Sequence, residues 1–133
     1  MNIPALVATL LLAVLALPCK TLAQAPAGTD PKLVSTDPDY GYTMAKAIKV
    51  GYKDGQDGPR AEREYFSLLR DEKGWSVQFS RIGSFGGGPD GHILDGYTIV
   101  TSTGREVTLY IDMYHPECDP KKQPAPKGFW MAK

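Results

Sequence analysis

Hydrophobic and polar residues alternate in three segments of this chain, with the two-residue period of strands that bury one face. In the clearest segment, four apolar residues alternate with polar ones or tyrosine: Val107, Leu109, Ile111 and Met113. The same pattern predicts strands at 46–52 and 75–80, and a further strand is expected at 92–101. The loops between the last three strands are short and contain glycine, which favours antiparallel pairing of neighbours.

One segment has a helical period instead. Pro59 follows a turn of glycine and aspartate residues and suits the first turn of a helix, where its missing N–H would have no partner. Four apolar residues then fall on one face, at i, i+4, i+7 and i+8: Ala61, Tyr65, Leu68 and Leu69. The pattern predicts a helix from Pro59 to Asp71. The order of elements, β-α-β-β-β, predicts an α+β fold with one helix packed on an antiparallel sheet of about four strands.

The first residues predict export. Ala5 to Leu17 is a run of thirteen apolar residues, whereas a membrane-spanning helix needs about 20. Two overlapping Ala-x-Ala cleavage sites follow, and Pro26 disfavours the first, so we expect cleavage after Ala27. This signal predicts a periplasmic or secreted protein. A lipoprotein anchored through Cys19 is the alternative, although Pro18 stands where such signals have a small residue.

The predicted mature chain is long enough for one domain. Removing residues 1–27 from 133 leaves 106, which suits a single core. Asp-Pro pairs in the following segment predict a flexible tether. We therefore expect a signal peptide, a tether, a single α+β domain and a tail at 1–27, 28–39, 40–129 and 130–133. Phe129 and Trp130 are costly to leave in water, and we expect them to fold back on the domain.

The charge is nearly balanced. The chain has 15 basic and 15 acidic residues, and loss of Lys20 leaves a net charge of −1. This balance argues against nucleic acid as a partner. Cys118 is the only cysteine after residue 27, which leaves no partner for an intrachain disulfide. No motif predicts a cofactor, and the oligomeric state is left open.

The densest group of side chains that could bind a metal or act as a nucleophile lies at the end of the last predicted strand and just after it. It comprises Asp112, His115, Cys118 and Asp119, together with Glu117. Carboxylate, imidazole and thiolate are all metal ligands, so the segment predicts a zinc or copper site. A reactive thiol activated by His115 and a solvated polar tail are the alternatives. The metal-site hypothesis implies that the protein is a metal-binding protein or a metal-dependent enzyme.

Tyrosines and arginines suggest a binding surface instead. Tyrosine suits interfaces because it is large and keeps a hydroxyl group, and converging arginines would bind the phosphates of an envelope lipid. The candidate binding residues are Tyr40, Tyr42, Arg60, Arg63, Arg81, Tyr110, Asp112 and Tyr114. The functional expectation is a non-catalytic binding or accessory module without a transmembrane helix after cleavage, whose partner is an envelope protein or lipid. The metal-dependent function is the alternative.

Six short motifs resemble those of a group of small exported bacterial proteins without assigned function. They are Tyr40-Gly41-Tyr42-Thr43, Ile48-Lys49-Val50-Gly51, Gly58-Pro59-Arg60, Arg81-Ile82-Gly83-Ser84, Leu109-Tyr110-Ile111-Asp112-Met113-Tyr114 and Pro126-Lys127-Gly128-Phe129. The resemblance spans Tyr40 to Phe129 and implies export and a shared fold, but no reaction. Relatives carry two adjacent cysteines where this chain has Phe85-Gly86. Some bear the label of 2-dehydro-3-deoxyphosphooctonate aldolase, an enzyme whose fold resembles a β/α barrel of about 250 residues. This chain is too short to form such a barrel.

Overall fold

Seven strands and one α-helix are found in residues 24–133, which the computed structural model describes. The strands are β1 (Thr29–Asp30), β2 (Ile48–Lys49), β3 (Leu69–Arg70), β4 (Gln78–Phe85), β5 (Leu94–Val100), β6 (Glu106–Asp112) and β7 (Trp130–Ala132). The helix α1 (Gly58–Leu68) lies between β2 and β3. This arrangement confirms the predicted α+β class. The apolar run at 5–17 and Cys19, on which export and lipidation were predicted, lie outside the described residues.

Helix α1 begins where the turn before it supplies a cap. The carboxylate of Asp57 accepts a hydrogen bond from the backbone N–H of Arg60 at 3.3 Å, and a proline occupies the first turn. The helix ends at Leu68, three residues before the predicted end at Asp71. Leu69 is extended, with φ −72° and ψ 135°, because it enters β3 and pairs with Met131. Pairing with a distant strand therefore ends a helix that local periodicity would continue.

The larger sheet has the strand order β2-β6-β5-β4. Strands β4, β5 and β6 form an antiparallel meander, with Phe79 opposite Ile99 and Ile99 opposite Val107. Strand β2 differs from the predicted antiparallel arrangement, because it runs parallel to β6 with Ile48 opposite Ile111. The chain leaves β2 through α1 and not through a hairpin, so nothing local requires β2 to pair antiparallel.

A smaller sheet joins the two ends of the described chain. Its order is β1-β7-β3, and both pairings are antiparallel. Residues 28–39, expected to form a flexible tether, supply β1 and exchange hydrogen bonds with Ala125 through Leu33 and Ser35. Residues 130–133, expected to form a tail, supply the central strand of this sheet. In this sheet the backbone N–H and C=O groups of both segments form hydrogen bonds within the protein, whereas those of an isolated segment would bond to water.

One hydrophobic core lies between α1 and the larger sheet. Helix α1 buries Ala61, Glu62, Tyr65 and Phe66, so its buried face includes a phenylalanine and an acid that the predicted stripe omitted. Phe129 is 1% exposed and contributes to the same core, as expected. Within the described residues, no helix is both long and apolar enough to cross a bilayer.

Candidate metal centre

Two histidines and two aspartates converge at one end of the larger sheet: Asp90, His92, Asp112 and His115. Their ligand atoms all lie within 4.8 Å of one another. Asp112 is the last residue of β6, and His92 stands shortly before β5. Because β5 and β6 are antiparallel with Asp95 opposite Ile111, the chain before β5 meets the chain after β6. The sheet register therefore brings His92 to the Asp112 segment.

Strand β2 holds the other side of this segment. The backbone N–H of Val50 donates to the carbonyl of Asp112 at 2.9 Å, and the N–H of His115 donates to the carbonyl of Val50 at 3.2 Å. The N–H of Gly51 donates to the carbonyl of Cys118 at 2.9 Å. These bonds fix the backbone on both sides of His115.

Gly51 is packed so closely against this segment that a side chain would not fit. A Cβ atom there would lie 2.4 Å from the carbonyl oxygen of His115. We expect Gly51→Ala to displace the His115 backbone and to lower the free energy of unfolding by about 1 to 3 kcal/mol, as overpacking does. Urea denaturation measures this loss. Gly83→Ala is the control, since a Cβ at Gly83 meets nothing within 4 Å; equal losses in both variants would contradict the prediction.

The carboxylate of Asp112 lies at the centre of the cluster and is only 2% exposed. Its Oδ2 atom is 2.8 Å from Nδ1 of His92 and 3.0 Å from Nε2 of His115. Its Oδ1 atom accepts a hydrogen bond from the backbone N–H of Tyr114 at 3.0 Å. A buried carboxylate is costly unless it is paired and hydrogen-bonded, and here two imidazoles and a backbone amide supply the partners.

His115 is oriented from both of its ring nitrogens. Its Nε2 atom faces Asp112, and its Nδ1 atom is 2.8 Å from Oε1 of Glu117. Burial would lower the pKa of His115, but the hydrogen bonds to Glu117 and Asp112 outweigh it and raise the pKa. A carboxylate on the far nitrogen is the arrangement that commonly orients a metal-binding imidazole.

Asp90 approaches the cluster from an exposed turn. Its Oδ2 atom lies 3.0 Å from Nε2 of His115 and 3.1 Å from Nζ of Lys49. The hydrogen bond from Lys49 lowers the pKa of Asp90. Asp90 therefore offers an ionised carboxylate at the outer edge of the cluster, and a bound cation would compete with Lys49 for it.

Cys118 and Asp119, also predicted as ligands, are placed differently. Cys118 belongs to a second group with His115 and Glu117, and its Sγ atom is 3.8 Å from Oε1 of Glu117. Burial and the neighbouring Glu117 raise the pKa of the Cys118 thiol, which disfavours the thiolate that metals bind. Asp119 accepts a hydrogen bond from the N–H of Lys121 at 2.9 Å and caps a short 3-10 turn.

Three of the predicted binding residues lie together, and one of them, Tyr114, adjoins the cluster of two histidines and two aspartates. Arg63, Arg81 and Tyr114 line one surface cleft. The ring of Tyr114 is 5.4 Å from that of His92, and 50% of Tyr114 is exposed. Arg60 lies elsewhere, with its guanidinium 5.4 Å from the centre of the Tyr52 ring. The three arginines predicted to bind an anion therefore do not form one cluster.

The remaining predicted tyrosines contact the protein itself. Tyr40 and Tyr42 pack against the hydrophobic core, and the hydroxyl of Tyr42 donates to the carbonyl of Lys127. Burial raises the pKa of Tyr40 well above its usual value. The ring of Tyr110 meets that of Phe85 edge-on, with centroids 5.5 Å apart. These three side chains serve packing in this structure.

Sequence reasoning missed Asp90 and His92, because both lie about twenty residues before the predicted segment. A usable signal was present. The predicted hairpin between the strands at 92–101 and 107–113 already places the start of one strand near the end of the other. Comparison of the chain with protein-family models, with curated proteins and with solved structures finds no match in any of the three.

Proposed function

We propose that the protein binds a divalent transition-metal ion of the zinc class through His92, Asp112 and His115, with Asp90 as the fourth ligand. The observation that carries the proposal is the approach of His92 to Asp112 at 2.8 Å across 20 positions of sequence. Two imidazoles and two carboxylates form a donor set that suits zinc.

The spacing of the donor atoms fits such an ion closely. Zinc binds nitrogen and oxygen at about 2.0 to 2.2 Å, so neighbouring ligand atoms of a tetrahedral site lie roughly 3.3 Å apart. The shared Oδ2 atom of Asp112 is 2.8 Å and 3.0 Å from the two imidazole nitrogens. All four donor atoms lie within 4.8 Å of one another, and Glu117 already holds His115 in a suitable orientation.

The competing explanation is a purely structural network, in which the N–H groups of the two imidazoles donate hydrogen bonds to Asp112. A metal site and a structural network would use the same nitrogen and oxygen atoms, but they differ in their response to added metal. A ligand that binds only the folded state stabilises it by about 2.7 kcal/mol at 100 times its dissociation constant. A structural network predicts no such stabilisation.

The test is calorimetric titration of the purified, chelator-treated protein with Zn²⁺, paired with thermal unfolding in excess Zn²⁺. We expect one ion per chain and a higher melting temperature. His92→Ala and His115→Ala are expected to weaken zinc binding by at least about tenfold, in line with the loss of a ligand or of its support. Cys118→Ser and Asp119→Asn are the matched controls and should bind zinc as the natural protein does.

The outcomes separate the two candidate groups. The absorption spectrum of the Co²⁺ form reports thiolate ligation directly, and we expect no thiolate band. Loss of binding in Cys118→Ser with binding retained in His92→Ala would place the ion at the second group and overturn this assignment. No heat and no stabilisation with Zn²⁺, Co²⁺, Ni²⁺ or Cu²⁺ would overturn metal binding altogether.

Export and a binding role complete the proposal. The apolar run at 5–17 and the Ala-x-Ala sites support export. In that setting the protein would act as a metal-binding or accessory module of the cell envelope, and the half-exposed Tyr114 beside the cluster is the first surface to examine for an envelope protein or lipid partner.

A further inference from the structure

Glu62 is a fully buried acid on the face of α1 that packs against β5. Its exposed fraction is 0%. Its Oε2 atom accepts a hydrogen bond from the hydroxyl of Tyr97 at 2.8 Å, while its Oε1 atom has no donor among the described residues. An ionised carboxylate in this position would leave a charged, unpaired oxygen inside the protein, which is costly. A protonated carboxyl would turn the same oxygen into a donor.

Asp95 is the neighbouring acceptor, and its own contacts hold it ionised. Asp95 and Glu62 line the same cleft, and each is among the groups that shift the pKa of the other. Arg81 donates to both oxygens of Asp95 at 3.0 Å, and the hydroxyl of Ser84 donates to Oδ1 at 3.1 Å. Burial would raise the pKa of Asp95, but these hydrogen bonds outweigh it and lower the pKa. These opposite directions of the two pKa values favour a proton on Glu62 over one on Asp95.

Other charged and titratable groups surround this pair. Those that face Glu62 or line the adjoining cleft are Asp95 and Tyr97 of β5, Arg81 of β4, Arg63 of α1 itself and Tyr114 after β6. The guanidinium of Arg81 is already engaged by Asp95. Arg81 is therefore not available as a direct partner for an ionised Glu62.

We propose that Glu62 and Asp95 hold one proton between them, carried on Glu62 and donated to Asp95, and that this pair makes the contact between α1 and β5 a pH-sensitive element of the fold. Release of the proton to solvent leaves two carboxylates side by side beneath the helix. The expected consequence is weaker packing of α1 at alkaline pH. This proposal is independent of metal binding.

The direction of the pH dependence follows from the protonation states. Burial is the largest influence on Glu62 and raises its pKa to about 8; the Tyr97 hydroxyl opposes this, and the Asp95 charge adds to it. The ordinary value is 4.5. The folded state therefore holds a proton that the unfolded state releases. The stability contributed by this proton is complete below pH 4.5 and is lost as pH rises toward 8.

The test compares the natural protein with Glu62→Gln across this range. Glutamine keeps an acceptor for Tyr97 and offers Asp95 a permanent donor, so it imitates the protonated acid and cannot ionise. We expect the ratio of unfolding constants, natural protein over variant, to rise about tenfold per pH unit between pH 4.5 and 8 and then to level off. Glu106→Gln, at an exposed position of β6, is the control and should give a flat ratio. A flat ratio for Glu62→Gln would overturn the proposal.

A second measurement does not depend on any variant that replaces Glu62. Carbon NMR of the glutamate carboxyl groups in the folded natural protein should give Glu62 a titration midpoint near pH 8. Asp95→Asn should move that midpoint to lower pH, because it removes a negative charge and frees Arg81 to face Glu62. A packing role alone would not shift the titration. A midpoint near the ordinary glutamate value, or no shift in Asp95→Asn, would overturn the shared proton.

Discussion

Phe66→Ala is expected to lower the free energy of unfolding by about 3 to 5 kcal/mol, the range for truncation of a buried phenylalanine. Phe66 has no exposed surface, and its ring lies 4.6 Å from that of Tyr97 and 5.6 Å from that of Phe79, measured between centroids. Removal of the ring therefore leaves a cavity between α1 and two strands. Since a domain of this size is stable by about 5 to 15 kcal/mol, the loss is a large share of the total.

Chemical denaturation at constant pH measures this loss. Phe85→Ala is the matched control, because Phe85 is half-buried on β4 and contacts Tyr110 at the sheet surface. We expect Phe85→Ala to cost less than half as much. Equal losses in the two variants would mean that the helix–sheet contact around Phe66 is not the principal core of the protein.

Asp71→Ala is expected to lower the free energy of unfolding by about 3 kcal/mol, because it removes the acceptor of three backbone N–H groups. The Oδ1 atom of Asp71 accepts from Lys73 at 2.9 Å and from Trp75 at 3.0 Å, and its Oδ2 atom accepts from Ser102 at 2.8 Å. The side chain thus ties the turn after β3 to the hairpin between β5 and β6. Thermal unfolding at neutral pH measures the change.

The pH dependence of this contribution has the opposite sign to that of Glu62. Burial would raise the pKa of Asp71, but the hydrogen bonds from Ser102, Trp75 and Lys73 outweigh it and lower the pKa. The stabilisation is present above the ordinary value of 3.8 and is lost as pH falls through the lower, folded pKa. The difference between the natural protein and Asp71→Asn should therefore shrink in acid. A difference that is constant down to pH 2 would contradict this assignment.

Local sequence indicated two members of the candidate metal site, Asp112 and His115, but not the other two. Asp112 and His115 are three residues apart, so their proximity follows from a short segment. His92 and Asp90 reach them only because β5 pairs with β6 in one register, with Asp95 opposite Ile111. A different register would carry the segment before β5 away from the end of β6. Cys118 and Asp119 are near in sequence, but the turn at 115–119 directs them into other contacts.

The burial of Glu62 in the core likewise could not be predicted from local sequence. Charged residues on a helix usually face solvent, and the apolar stripe of α1 gave no reason to bury this acid. Its burial depends on Tyr97 and Asp95, which lie on β5, 35 and 33 positions further along the chain. Helix periodicity carries no information about that partner.

Local chemistry was enough to establish the fold class, the alternation of β6 and the start of α1 close to Pro59, because these depend on side-chain period and on turn residues a few positions away. The tertiary structure alone decided the parallel pairing of β2 with β6, the placement of both chain ends in one small sheet, and the meeting of His92 with Asp112. Each of these depends on contacts between residues that are distant in sequence, and the energy of such contacts is set by register and packing, which no short window of residues contains.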